Sequence, residues 1–249
     1  MVWIAADLGA PAGLRAGTTT RAGGVSVGSR ASLNLAGHVG DDPVAVLENR
    51  TRLRAAFQLP AEPLWLQQVH GTEVAIHDGR PNAPVADAAV AFESGRVLAV
   101  LTADCLPVVL VADDGGRLGI AHAGWRGLAA GVLDRTVAAL GVPGAELRAW
   151  LGPAIGPGAF EVGEEVRAAF VDAAADDATA FAPNARGRWQ ANLYALARRR
   201  LARLGVHRVT GGGWCTHAEA DRFFSHRRDP VSGRMATLAW LASTSGVVD

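Results

Sequence analysis

The chain reads as an α+β protein, and three observations predict this. Short apolar, β-branched runs come in pairs separated by turn clusters, the pattern of antiparallel hairpins. Amphipathic helical stretches fall between those groups and do not alternate with single strands, which argues against a doubly wound parallel sheet. No repeat period, low-complexity tract or linker interrupts the 249 residues. Residues 1–249 are therefore expected to form a single domain.

Composition excludes several classes of function. Hydrophobic residues make up 49% of the chain, enough for a sizeable core, and no apolar run is long enough to span a membrane. The 24 basic residues balance 24 acidic ones, so no charge footprint for nucleic acid or a membrane surface is present. Every basic residue is Arg, which rules out Schiff-base chemistry on lysine. Residues 1–13 lack the basic start and long apolar stretch of a secretory leader. Two cysteines make no disulfide framework, and a reduced, cytoplasmic setting is expected. The expected assembly is a monomer or weak oligomer.

The first strand is expected at residues 2–5. Residues 17–30 then form a polar, Gly-rich stretch, where Arg21 beside exposed backbone N–H groups either cradles an anion or lies on a plain surface loop. Asp42 is a good N-cap with Pro43 at the first helical position. The helix it starts should run to about Gln58, burying Val46, Leu53 and Phe57, and stop before Pro60. Residues 64–69 and 72–76 look like a hairpin with His70-Gly71 at its turn, and residues 89–92 like another strand.

Residues 98–127 are the centre of the chain. Two β-branched runs, residues 106–112 and 117–121, flank the turn cluster Asp113-Asp114-Gly115-Gly116, a hairpin signal. Side chains alternate between faces along a strand, so the loop length decides which residues share one. A two- or four-residue loop puts Cys105 and His122 on one face, opposite or diagonal, with Cβ atoms about 5–8 Å apart. A three-residue loop sends them to opposite faces. Pro107, just after the Cys, is consistent with a bulge or a strand edge.

After His122 the chain turns through Gly124-Trp125-Arg126-Gly127 into an amphipathic helix at about residues 128–140, closed by Gly141. Arg126 at the positive end of that helix favours a bound anion, unless it reaches back to a carboxylate. Residues 147–151 read as a strand, followed by the rigid loop at residues 152–158. Helices are expected at residues 161–170 and 190–204, with Arg198-Arg199-Arg200 on a solvated face. Residues 206–210 and 214–216 give one more strand region. Residues 223–229 and 235–241, around a turn at 230–233, form a third expected hairpin.

His70, Cys105 and His122 then make a candidate site. One thiolate with two imidazoles suits Zn²⁺ and leaves a fourth position for water or substrate. Cys215, His77, His217 and His226 are weaker candidates for that fourth place.

Three runs, residues 66–71 (Leu66-Gln67-Gln68-Val69-His70-Gly71), 101–107 (Leu101-Thr102-Ala103-Asp104-Cys105-Leu106-Pro107) and 121–127 (Ala121-His122-Ala123-Gly124-Trp125-Arg126-Gly127), together closely resemble the YfiH-type laccase-domain family. That family is also described as purine nucleoside phosphorylases and as peptidoglycan-editing factors. Further matches at residues 32–35, 38–43, 152–163, 223–229 and 233–236 extend the resemblance over nearly the whole chain. It implies a four-layer α/β/β/α sandwich with largely antiparallel or mixed sheets, and His70, Cys105 and His122 as zinc ligands. It also implies phosphorolysis of adenosine, inosine, guanosine and methylthioadenosine, with zinc-dependent adenosine deamination beside it. Family members often carry a second thiol in the Gly-Pro-rich loop, where this chain has Gly158 and Ala159.

Such chemistry assigns expected roles. Cys105, His122, His70 and Asp104 are the expected catalytic set, with Asp104 either managing protons or acting as a structural hydrogen-bonder. Arg21, Arg126 and Arg227 are the expected phosphate clamp, and Asn34 a partner for ribose or a base edge. A copper polyphenol oxidase is disfavoured, because seven His residues with no His-X-His are too few for several coppers. A Cys–His hydrolase or amidase using Cys105 and His122 on a peptidoglycan precursor is chemically credible. A pure binding module fits least well.

Overall fold

The computed structural model describes residues 3–9, 13–80 and 83–242. Val2, the expected start of the first strand, and part of the 1–13 segment lie outside the described residues. The strands are β1 (Trp3–Ala5), β2 (Leu14–Thr19), β3 (Val74–Ile76), β4 (Ala88–Ala91), β5 (Leu98–Thr102), β6 (Leu106–Ala112) and β7 (Leu118–Ala123). They continue as β8 (Leu147–Leu151), β9 (Glu161–Val162), β10 (Phe181–Pro183), β11 (Trp189–Ala191), β12 (Arg208–Gly211) and β13 (Met235–Leu241). The helices are α1 (Pro43–Phe57), α2 (Trp125–Ala130), α3 (Val132–Leu140), α4 (Glu164–Val171) and α5 (Leu193–Arg203). None is long and apolar enough to cross a membrane.

Two large sheets, ordered β1-β2-β13-β5 and β12-β8-β6-β7-β4-β3, dominate, with a small sheet β10-β11-β9 beside them. Leu98, Val100 and Ala239 of the first meet Val109, Val111, Ile120 and Trp150 of the second in an apolar layer between them. On the outer face of the four-stranded sheet, Leu53 of α1 packs with Leu101 and Leu238. The outer face of the six-stranded sheet is covered by Leu128, Leu133, Leu196 and Leu201 against Val108, Leu110 and Ala149. The result is α/β/β/α layering in mixed sheets, antiparallel except for β3–β4 and β12–β8. It matches the α+β expectation.

Local sequence explains several elements directly. The Asp42 carboxylate accepts the Val44 N–H at 3.0 Å, capping α1 where Pro43 begins it. The β6–β7 hairpin has an even register that pairs Pro107 with His122 and Val111 with Leu118. Pro107 sits in a central strand, not at an edge. The absent N–H is tolerated because β8 ends at Leu151, opposite Val108, and the Pro107 carbonyl accepts from Gly152 beyond that end.

Other expectations give way to tertiary pairing. Residues 64–76 form no hairpin. Leu64 and Gln67 make isolated bridges to Leu98 and Val85, and β3 pairs in parallel with β4. Residues 223–229 form no strand, and β13 instead lies between β2 and β5. That segment is held by side chains: Phe223 and Phe224 pack with Ala103 and Met235, and the Arg228 guanidinium donates to the carbonyls of Thr216, His217 and Phe223. The expected loop from residue 17 begins instead after β2, whose Thr18 hydroxyl lies 2.6 Å from that of Thr237.

The helix expected at 128–140 starts at Trp125 and breaks at Gly131, whose φ of +98° ends α2 before α3 begins. Residues 161–162 and 189–191 are strands, so α4 and α5 start later than expected, α5 at its Asn192 cap. Strand β12 starts at Arg208, and residues 214–216 are not a strand. Arg198, Arg199 and Arg200 are not idle on a solvated face. They bond to the Val209 and Gly211 carbonyls, to Asp176 and Thr179, and to Asp134.

Candidate metal centre

Each of the three donors comes from a different segment. His122 projects from β7 on the face of Ile120, into the layer between the sheets. Cys105 sits just before β6, two residues beyond Pro107 and so diagonal to His122, as an even loop requires. His70 lies on the coil before β3 with φ of +61°. The ligand atoms of the three all lie within 4.8 Å of one another, and Cys105 Sγ is 3.9 Å from His70 Nε2. Tetrahedral zinc at ordinary bond lengths would set sulfur and nitrogen about 3.6 Å apart. Shifts of a few tenths of an ångström to about one ångström bring the three into one coordination sphere, and the donor set fits a divalent ion.

A buried carboxylate organises the set. Asp87 Oδ1 accepts from His122 Nδ1 at 2.8 Å, so Nε2 is the nitrogen that His122 would offer to a metal, once a bound ion displaces its proton. The same carboxylate accepts the backbone N–H groups of Val69, His70 and Gly71, so it also holds the coil that carries His70. Burial pushes the Asp87 carboxyl up, but the His122 and backbone bonds outweigh it and keep it below the usual range.

Charge is shared across the donors. Desolvation raises the Cys105 thiol, yet His122 and then His70 outweigh it and bring it down to about 6. Burial lowers the His122 imidazole, while Cys105 and Asp87 lift it to about 9. Close approach is built into the backbone: a Cβ on Gly124 would stand 2.9 Å from Cys105 Sγ and 3.2 Å from His70 Cδ2.

The three donors open into a cavity of about 340 Å³, also lined by His38, Gln68, Leu101, Thr102, Ala103, Arg126, His226 and Arg234. Gln68 is spent on both backbone groups of Leu101. Arg126, in the first turn of α2, stacks on Trp125 with its guanidinium carbon 4.5 Å from the ring. Arg234 bonds through Nη1 to Ser232 and Gly233. The His38 imidazole is depressed by burial, with Arg234 and Arg50 adding to the effect.

Of the other residues the sequence singles out, Arg126 and His226 line this cavity, and seven more do not. Asp104 gives its carboxylate to the Thr216 hydroxyl (2.6 Å) and the Arg227 N–H (2.7 Å), a structural use. Asn34 is fully buried. It donates to the Ala36 carbonyl and Asp41 and accepts from the Ala36 and Arg234 N–H groups, so its amide is spent on the fold. The Arg21 guanidinium donates to the Ala31 and Ala220 carbonyls, and that of Arg227 to the Glu161 carbonyl. Neither reaches the donors. Cys215 and His217 line a different and larger cavity of about 840 Å³ with Tyr194 and Trp214, and His77 lines a third.

Asp87 and Arg234 are the residues that sequence reasoning passes over. Asp87 stands two residues before a strand candidate, and only the fold brings it to His122 and the His70 coil. Arg234 follows a Gly in an expected turn, a position that normally reads as surface.

Residues 15–242 match the family described as multi-copper polyphenol oxidoreductase laccase. Two curated relatives carry the name purine nucleoside phosphorylase. One, from Xylella fastidiosa, is 53% identical over 96% of this chain and 97% of its own. The other, YfiH of Escherichia coli, is 50% identical over 93% of this chain and 95% of its own. The crystal structure of Neisseria meningitidis protein NMB0706 superimposes with a TM-score of 0.93 at 48% identity, over 97% of this chain and 99% of that one. Length and fold agree with this likeness from end to end, and the chain belongs to the YfiH family.

Proposed function

We propose that the chain is a zinc-dependent purine nucleoside phosphorylase. Its substrates would be adenosine, inosine, guanosine and methylthioadenosine, and adenosine deamination would be a side activity. One observation carries the reading: His70, Cys105 and His122 converge at the wall of a cavity that also presents Arg126 and Arg234. A divalent ion held by the three donors supplies Lewis-acid polarisation there. The relatives' names supply the substrate class, and the arginines supply the second reactant's site, since guanidinium forks bind phosphate bidentately.

The chain's own residues do the rest. Arg126 and Arg234 replace Arg21 and Arg227 as the phosphate clamp, and they hold the anion beside the sugar. As a phosphate oxygen bonds C1′, the bond from C1′ to the purine nitrogen breaks and its electron pair leaves with the base. The imidazoles of His38 and His226 line the same cavity; His226 would deliver a proton to the leaving purine, and His38, which burial and two arginines hold neutral, would accept one. No carboxylate is among the residues lining the cavity, so proton transfer in deamination falls to these imidazoles too. Asp87 keeps its place behind His122 as a positioning residue.

Copper oxidation fits less well. His70, Cys105 and His122 are the one group of three or more clustered donors among the described residues, whereas a multi-copper enzyme needs several such groups.

The test is to purify the protein, measure its bound metal, and incubate it with adenosine with and without phosphate. Adenine with ribose 1-phosphate, made only with phosphate and lost on chelation, supports the proposal. Inosine marks the deaminase activity. Turnover of a peptidoglycan precursor that survives chelation but stops on alkylation of Cys105 would replace it with Cys–His hydrolysis.

A further inference from the structure

Thr102 closes β5 and lines the cavity beside Cys105. Leu98 and Val100 of the same strand point into the layer between the sheets, and the two-residue period puts Thr102 on that face at its open end. The residue is 1% exposed, and its hydroxyl has no hydrogen-bond partner among the described residues. Other buried threonines are paired. Thr18 meets Thr237, Thr19 accepts the Ala236 N–H, Thr136 donates to the Val132 carbonyl and Thr216 donates to Asp104. A buried hydroxyl without a partner costs folding free energy, and such a group in a native protein calls for an explanation. A valine would fill the same space without that cost.

We infer that Thr102 Oγ1 hydrogen-bonds a sugar hydroxyl of the bound nucleoside, an inference that rests on the phosphorylase reading of this cavity. A neutral hydroxyl both donates and accepts, as a sugar hydroxyl does. Phosphate has better partners in the same cavity, the cationic Arg126 and Arg234. The contact makes Thr102 a specificity residue, because a site built to bond a hydroxyl rejects the analogue that lacks it.

The experiment compares adenosine, 2′-deoxyadenosine and 3′-deoxyadenosine in the wild-type enzyme, Thr102→Val and Thr102→Ser. In the wild type, one deoxynucleoside should show kcat/KM lower than adenosine by about 10-fold or more. Thr102→Val should lose a similar factor on adenosine and nothing further on that analogue, so the gap closes, and Thr102→Ser should restore it. Metal content should be unchanged in Thr102→Val, and its Tm equal or higher. Full discrimination between all three nucleosides in Thr102→Val overturns the inference. So does an equal loss on every nucleoside accompanied by lower Tm or metal content. If the wild-type enzyme turns over no nucleoside at all, the phosphorylase reading falls, and the sugar contact falls with it.

Discussion

Asp87 Oδ1 stands 2.8 Å from His122 Nδ1, and with its remaining acceptor capacity the same carboxylate grips the backbone of residues 69–71. One side chain thus sets the tautomer of one donor and the position of another. Asp87→Asn keeps the shape but lets an amide N–H face His122, so the imidazole loses its acceptor. Metal affinity should fall about 10–100-fold, read by competition with a chelator of known affinity. Unchanged affinity would show that the imidazole is oriented without Asp87.

His70 is exposed, and Cys105 is partly so, so removing the His70 imidazole should cost the apo fold little. His70→Ala should therefore leave the metal-free Tm near the wild-type value. The wild type should gain about 2.7 kcal/mol of stability at zinc concentrations 100 times its dissociation constant, whereas His70→Ala should gain almost none. Equal zinc-induced stabilisation of both proteins would remove His70 from the donor set.

Asp104 distinguishes a structural carboxylate from a catalytic one. In Asp104→Ala the buried Thr216 hydroxyl and the Arg227 N–H both lose their acceptor. Stability should drop by about 1–3 kcal/mol, measured by denaturant unfolding, with activity per folded molecule largely kept. A large loss of kcat at unchanged stability would instead place Asp104 in the chemistry.

The proposed phosphate clamp uses arginines that line the cavity, and Arg21 is not one of them. Arg126→Gln should raise the KM for phosphate at least several-fold, because a charge-assisted contact is worth about 1.5–3 kcal/mol. Arg21→Gln should leave it unchanged, since that guanidinium is tied to the Ala31 and Ala220 carbonyls. Steady-state kinetics at varied phosphate decides between them, and equal effects from both would break the assignment.

Gly124 offers a test that touches no donor. Alanine there would bring a methyl to 2.9 Å from Cys105 Sγ, forcing the thiol away from the imidazoles. Gly124→Ala should weaken zinc binding while the hairpin still folds, and calorimetric titration would measure the loss. Wild-type affinity would mean that the loop yields.

What was legible in the sequence was local. The β6–β7 hairpin could be read because two apolar, β-branched runs bracket an Asp-Gly turn, and the parity of its loop alone decides whether Cys105 and His122 share a face. The α1 cap could be read because Asp42 and Pro43 act within one turn. Strand β2 stayed hidden because its buried threonines look polar until Thr237 and the Ala236 N–H are placed against them. The β13 pairing was missed for a related reason. Its neighbours β2 and β5 lie far away along the chain, whereas Phe223 and Phe224 are close in sequence and are claimed by a core cluster instead. Asp87 reaches His122 and the backbone of residues 69–71 only through contacts far apart in sequence, so no nearby motif marks it.

Position 70 shows two demands in opposition. Its φ of +61° is a backbone shape in which glycine is at ease and a branched-off imidazole is not, at a cost on the order of 1–3 kcal/mol. Glycine would relax the chain but would supply no nitrogen. The histidine is kept there by three N–H bonds to a buried carboxylate, so part of the folding energy of this region is committed to presenting one lone pair outward. A protein selected only for stability would give up that residue early, and with it the chemistry.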